Sequence, residues 1–276
     1  MKSATATRIR LDIAYDGTNF AGWGIQPNHR TVQGVLEEAL GLILRAPSVV
    51  RLTVAGRTDA GVHASGQVAH ADVTTSMAPA EIHRRLGRYL GSDSDVAIHA
   101  VTLAPPGFDA RFSAEARRYE YRIMDGSDRV NPLERHRAAI LPNRLDLDAM
   151  QDVARRVTGL RDFGAFCKPR AMATTIRELQ EFEWKREDDN TLVASLQADA
   201  FCHSMVRALV GASVAAGQGR LSIGDLEKLR DGAKRTSRFK VMPAHGLCLN
   251  EVIYPPDDEV GARAELTRTR RDLPSD

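Results

Sequence analysis

The stretch Gly56-Arg57-Thr58-Asp59-Ala60-Gly61-Val62-His63-Ala64-Ser65-Gly66 carries a glycine at every fifth position, a density that breaks regular structure and marks a loop. Residues 49–55 and 67–73 on either side read as strands joined by it. Upstream, Thr31 is a helix N-cap, followed by Val32, Val35, Leu36, Ala39, Leu40 and Ile43 at the spacing of an amphipathic helix. Before that helix, Ile9, Leu11 and Ile13 alternate with Arg8, Arg10 and Asp12, the period of a strand with one buried face, which ends at Asp16-Gly17. Downstream, Pro79 opens a helix bearing Ile82, Leu86, Tyr89 and Leu90, and residues 96–103 read as a further strand. The order is β-α-β-β-α-β, the ferredoxin-like pattern.

Pro105-Pro106-Gly107 breaks the chain and is the expected boundary between an N-terminal subdomain, 1–104, and a C-terminal one, 105–256. The second half predicts a strand over 117–124, a helix over 146–157 and strands over 174–184 and 191–200. An apolar helix over 203–216, a helix opened by Ser222 with Asp225 three residues on, and a strand over 247–254 follow. Both halves mix antiparallel strands with helices, so the fold class is α+β, with two ferredoxin-like (RRM-like) subdomains. The charged, aperiodic tail 257–276 is expected to be disordered.

The 276 residues are 43% hydrophobic and 27% charged, the composition of a folded globular chain rather than a disordered or fibrous one. No apolar stretch approaches the ~18 residues of a membrane span, and the N-terminus lacks an apolar signal core. The protein is therefore expected in the cytoplasm, away from membranes. Cys167, Cys202 and Cys248 form neither an even set nor a C-x-x-C pair, so neither a disulfide framework nor a structural zinc site is expected. A net charge of +2 says nothing about polyanions, but Arg84/Arg85/Arg88, Arg117/Arg118/Arg122 and Lys234/Arg235/Arg238/Lys240 cluster. Such clusters fit nucleic acid and fit an ordinary solvated face as well.

Three constellations could carry chemistry. In the glycine-bracketed loop, Arg57 and Asp59 set a guanidinium and a carboxylate close together where backbone can approach a ligand; equally, Asp59 could cap the turn and pair with Arg57. His63 and His70 lack a third metal ligand at suitable spacing and read as hydrogen-bonded structural residues. Arg117, Tyr119 and Tyr121 share one strand face, which suits base stacking beside phosphate contacts or a simple sheet core. Arg207 is the one permanent charge in the apolar helix, implying a carboxylate or phosphate partner unless it snorkels to water.

G-R-T-D-A-G-V-H at 56–63, A-R-F-S-A-E-A-R-R-Y-E-Y at 110–121, F-C-H-S-M-V-R at 201–207 and A-H-G-L-C-L at 244–249 together resemble the tRNA pseudouridine synthase A family. Y-D-G-T-N-F-A-G-W at 15–23 and T-V-Q-G-V-L-E-E-A-L at 31–40 extend the resemblance over residues 8–254. The resemblance implies isomerisation of uridine to pseudouridine at positions 38–40 of the tRNA anticodon stem-loop, by a homodimer without cofactor or metal, in a basic cleft between the halves. It implies that Asp59 is the catalytic aspartate, accompanied by Arg57, with Tyr119 as active-site tyrosine, Arg207 pairing with the aspartate and Leu247 packing against uracil. His63, Arg117 and Arg118 complete the expected substrate-binding set. The chain departs from the common pattern at Gly24 and Ile25, where polar or basic residues are usual, and at Asp109, where some members carry His. A catalytically silent RNA-binding protein of the same fold is the alternative, and a hydrolase would need a second carboxylate to activate water.

Overall fold

The computed structural model describes residues 6–126, 130–169 and 174–268. These fall into two compact units, one within Met1–Glu115 and Leu249–Thr269, the other within Ala116–Cys248.

In the first unit β1 (Thr7–Tyr15) buries Ile9, Leu11, Ile13 and Tyr15 on alternate positions. Helix α1 (Val32–Leu44) starts where Thr31 accepts a hydrogen bond from the Gly34 N–H at 3.2 Å. Strand β2 is only Thr53–Val54, shorter than the expected 49–55. The reason lies in α1: the buried Glu37 carboxylate accepts the Leu52 N–H at 2.9 Å and pairs with Arg51 at 3.0 Å. A side chain thus serves backbone that a ladder would otherwise serve. Strand β3 (His63–Val73) is correspondingly longer than expected, so the stretch read as loop up to Gly66 is partly strand. Helix α2 (Pro79–Leu90) and β4 (Val96–Leu103) follow. Strand β1 lies between β3 and β4, antiparallel to both, and β2 pairs on the far side of β3, the ferredoxin-like order.

In the second unit β5 (Ala116–Asp125) pairs in parallel with the short β6 (Ala139–Leu141). Helix α3 (Leu147–Val157), capped by Asp146, buries Met150, Val153, Ala154 and Val157. Strands β7 (Gly159–Asp162), β8 (Ile176–Arg186) and β9 (Leu192–Ala198) continue antiparallel, with β9 between β8 and β5. Helix α4 (Met205–Gly217) is buried nearly all round, and α5 (Ile223–Gly232) opens with Ser222 accepting from the Asp225 N–H. Backbone approaches α4 closely at Gly211, where a Cβ would lie 1.9 Å from the Lys240 carbonyl oxygen. At the sheet's end Asp125 receives Arg186 at 2.6 Å and the Leu145 N–H at 2.8 Å. Burial alone would push the Asp125 carboxyl up, but those donors hold it below its ordinary value.

Strand β10 (Leu247–Ile253) and helix α6 (Val260–Thr267) close the chain. Asn250 of β10 explains the glycine inside β3: a Cβ on Gly66 would fall 2.1 Å from its carbonyl oxygen. Helix α6 corrects the disordered-tail expectation up to residue 268, and 269–276 lie outside the described residues. Val260 and Ala264, four apart, bury its inner face, and Ser113 Oγ donates to the Val260 carbonyl at 2.8 Å. The division of the chain also moves from 104/105 to after Glu115. Pro105-Pro106-Gly107 is a turn and not a linker: Gly107 has φ 75°, and a Cβ there would meet Gly261 Cα at 2.8 Å. The α+β class, mainly antiparallel, stands.

One cysteine expectation is overturned. Cys167 and Cys202 are joined as a disulfide, with Cα atoms 5.8 Å apart. Cys167 precedes β8 and Cys202 follows β9, so the β8–β9 hairpin returns both to one edge, a proximity invisible in their linear spacing. Among the described residues no helix is long and apolar enough to cross a membrane.

Candidate active site

Asp59 sits on the turn before β3, half-buried, between the exposed Arg57 and Ala60. The Asp59 carbonyl accepts the Val62 N–H at 3.2 Å, and Gly61 takes the left-handed φ of 76° that closes the turn. Segment 15–24 clasps this turn from outside. Trp23 N–H donates to the Thr58 carbonyl at 3.1 Å, Gly61 N–H donates to the Phe20 carbonyl at 3.3 Å, and Gly17 N–H donates to His63 Nδ1 at 3.0 Å. A Cβ on Gly17 would lie 2.0 Å from the Val62 oxygen and one on Gly22 2.8 Å from the Thr58 oxygen. The glycines of the 15–24 motif are thus the condition for the clasp to close.

A buried polar chain holds the same turn from within. Gln67 is 0% exposed, and its Nε2 donates to the Gly56 carbonyl at 2.9 Å and to Tyr15 Oη at 3.2 Å. Tyr15 Oη and Thr58 Oγ1, 2.8 Å apart, share a further hydroxyl–hydroxyl hydrogen bond. Residues 56 and 58 are therefore both fixed by one glutamine. Sequence reasoning missed Tyr15, Thr58 and Gln67; the available signal was a glutamine opening the expected strand 67–73.

In the second unit Tyr119 is buried at 8% exposure and meets Phe201 edge-on, ring centroids 5.1 Å apart. Tyr121, on the same strand face, donates from Oη to the Pro243 carbonyl at 2.8 Å. Burial pushes its hydroxyl far up, against the opposing charge of Arg207, so it stays a neutral donor. Arg207 lies half-buried on the first turn of α4, and its carbonyl accepts the Met242 N–H at 3.1 Å. Leu247 is buried at the start of β10.

The expected substrate-binding residues differ in exposure. His63 is buried and occupied with Gly17; Arg117 is buried, donating to the Asp199 carbonyl at 2.7 Å; Arg118 is half-buried and donates to Gln197 at 2.7 Å. The basic clusters are partly neutralised by their own neighbours: Arg84 and Arg85 by Glu81, Arg122 by Glu120, Arg238 by Asp225. Asp59 and Arg57 belong to the first unit; Tyr119, Arg207, Leu247, Arg117 and Arg118 belong to the second. Among the described residues no three His, Cys, Asp or Glu side chains gather as metal ligands.

A carboxylate on a fixed, partly solvated turn can stabilise or attack a carbon that gains positive charge. A sequence model of the family described as "tRNA pseudouridine synthase" matches residues 13–113 and 153–255. The chain is 55% identical over 287 residues to "tRNA pseudouridine synthase A" of Leifsonia xyli, covering 97% of this chain and 99% of that protein. It is 50% identical to the protein of that name from Cutibacterium acnes, over 96% of this chain and 95% of that one. With its namesake from Mycobacterium leprae it shares 48% identity over the same fractions.

Proposed function

The chain belongs to the tRNA pseudouridine synthase family, and from that premise we propose that it isomerises uridine to pseudouridine at positions 38–40 of the tRNA anticodon stem-loop. Isomerisation of tRNA uridine is the activity of the family; the position and the residue roles are our reading. Asp59 is the catalytic carboxylate. What supports this is its place on a turn held by segment 15–24 outside and by Gln67 inside, the preorganisation that a group acting on a short-lived charge needs.

Cleavage of the C1′–N1 bond leaves positive charge on the ribose and negative charge on uracil, and Asp59 meets the former. The detached base turns and bonds to C1′ through C5; the C5 proton departs, N1 regains one, and no water is consumed. One carboxylate is enough because the base itself is the returning nucleophile. Tyr119 provides an aromatic face beside the base, Leu247 packs against it, and Arg57 and Arg207 supply positive charge to the reaction. Arg118 contacts RNA, while His63 and Arg117 serve the substrate indirectly through the Gly17 N–H and the Asp199 carbonyl they hold. A paired base must first leave its stack, at a cost of a few kcal/mol recovered in contacts to the protein. The working form is a homodimer in the cytoplasm, acting without cofactor.

The test is to incubate the protein with unmodified tRNA and no added cofactor, then map the products by mass spectrometry. Pseudouridine at one or more of positions 38–40 is expected. Tight binding without product would leave an RNA-binding protein, and release of free uracil would mark a hydrolase; either overturns the assignment.

A further inference from the structure

Cys167 and Cys202 have no part in the isomerisation, yet their bridge is anchored in the segment that leads into Arg207. Phe201 packs edge-on against Tyr119, Cys202 Sγ contacts Met205 Sδ at 3.7 Å, and the Lys168 N–H donates to the His203 carbonyl at 2.9 Å. Between them Ser204 holds φ 66°, ψ 8°, a left-handed conformation that a side chain adopts only where its surroundings impose it. The two residues also differ in access: Cys167 is 1% exposed, whereas Cys202 is only half-buried.

We propose that Cys167 and Cys202 form a peroxide-sensitive thiol–disulfide site, in which Cys202 is the point of attack, Cys167 resolves it, and the bridge pins the left-handed entry of α4. The oxidant is a hydroperoxide. The Cys202 thiolate attacks a peroxide oxygen, forming S–O as O–O breaks; with hydrogen peroxide the leaving hydroxide takes up a proton to become water, and Cys202 is left as a sulfenic acid. Cys167 then attacks that sulfur; S–S forms, S–O breaks, and the departing hydroxide takes the Cys167 proton as a second water. Two electrons pass from the sulfurs to the peroxide, and a dithiol reductant reverses the step. In a reducing compartment such a bridge is transient and reports oxidant exposure. It encloses the whole β8–β9 hairpin, its ends separated by 35 positions along the chain, so closing it restrains the unfolded chain and stiffens the second unit.

The experiment uses the full-length protein, reduced with dithiothreitol, then exposed to hydrogen peroxide and digested without reductant after thiol alkylation. A peptide linking Cys167 to Cys202, with Cys248 alkylated, is expected, together with a Tm roughly 5–10 °C above that of the reduced protein. In Cys167→Ser, a dimedone adduct is expected on Cys202; in Cys202→Ser, Cys167 stays unmodified, and neither variant gains Tm on oxidation. Alkylation of both cysteines after peroxide, a link through Cys248, or a dimedone adduct on Cys167 of Cys202→Ser would each overturn the proposal. None of these readouts is activity, so they stand or fall separately from the assigned reaction.

Discussion

The Asp59 turn and the entry of α4 both reverse the chain through a left-handed residue, by opposite means. At the first, Gly61 takes φ 76° without strain, and hydrogen bonds from Trp23, Gly17 and Gln67 do the holding. At the second, Ser204 takes φ 66°, which costs a non-glycine residue roughly 1–2 kcal/mol. Aromatic packing, one backbone bond and a sulfur bridge offset that strain. A turn held by directed polar bonds fixes a carboxylate in place while leaving it partly solvated; a turn held by packing buries what it fixes. The first suits an ionised group and the second suits Tyr119 and a helix dense with apolar contacts.

The comparison can be broken most severely at Asp59. Asp59→Asn keeps shape and loses charge, so pseudouridine formation should fall by several orders of magnitude while tRNA affinity, measured by filter binding, stays near that of the parent protein. Retained turnover would remove Asp59 from its role. Gly17→Ala comes next: its Cβ would overlap the Val62 carbonyl, 2.0 Å away, and backbone cannot yield cheaply. Opening of the clasp should lower kcat by about a hundredfold, the scale of a ~1 Å misplacement of a catalytic group. Single-turnover kinetics on protein verified as folded by circular dichroism reads this.

Tyr15→Phe removes the link between Gln67 and Thr58 without creating a clash. Leaving buried polar partners unmatched costs about 1–3 kcal/mol. If part of that appears as turn mobility, kcat should drop about tenfold with KM unchanged. An equal loss of Tm with no change in kcat would confine Tyr15 to stability.

The second unit should be the more acid-sensitive at its Asp125–Arg186 clamp. The Asp125 carboxyl lies below its ordinary value of 3.8 in the folded state, so its contribution is present above that value and is lost as pH falls through the folded one. Hydrogen exchange around β5 and Leu145 should rise below about pH 4, and Asp125→Asn should remove that acid step. Ser204→Gly has the smallest expected effect, a gain of up to ~1 kcal/mol in urea unfolding, whereas Gly61→Ala should lose a comparable amount. Destabilisation by Ser204→Gly would mean that the entry of α4 is not strained and that the contrast between the two turns is wrong.

Local pattern was enough for elements whose signals are contained within a few residues. Thr31 caps α1, the alternation of Ile9, Leu11 and Ile13 makes β1, Asp146 and Ser222 cap α3 and α5, and β4 runs over 96–103 as its periodicity requires. Asp59 stood out because a charged pair between glycines is unusual at short range. Tertiary contacts decided the rest. Glu37 shortens β2 and the approach of Asn250 makes Gly66 a strand residue. Gly261 turns Pro105-Pro106-Gly107 into a packed corner, and α6 forms because Val260 and Ala264 find a buried face. The Cys167–Cys202 bridge exists because an antiparallel hairpin brings its two ends together. Periodicity and capping are properties of near neighbours along the chain, whereas each of these features depends on a group in another element whose position no local pattern encodes.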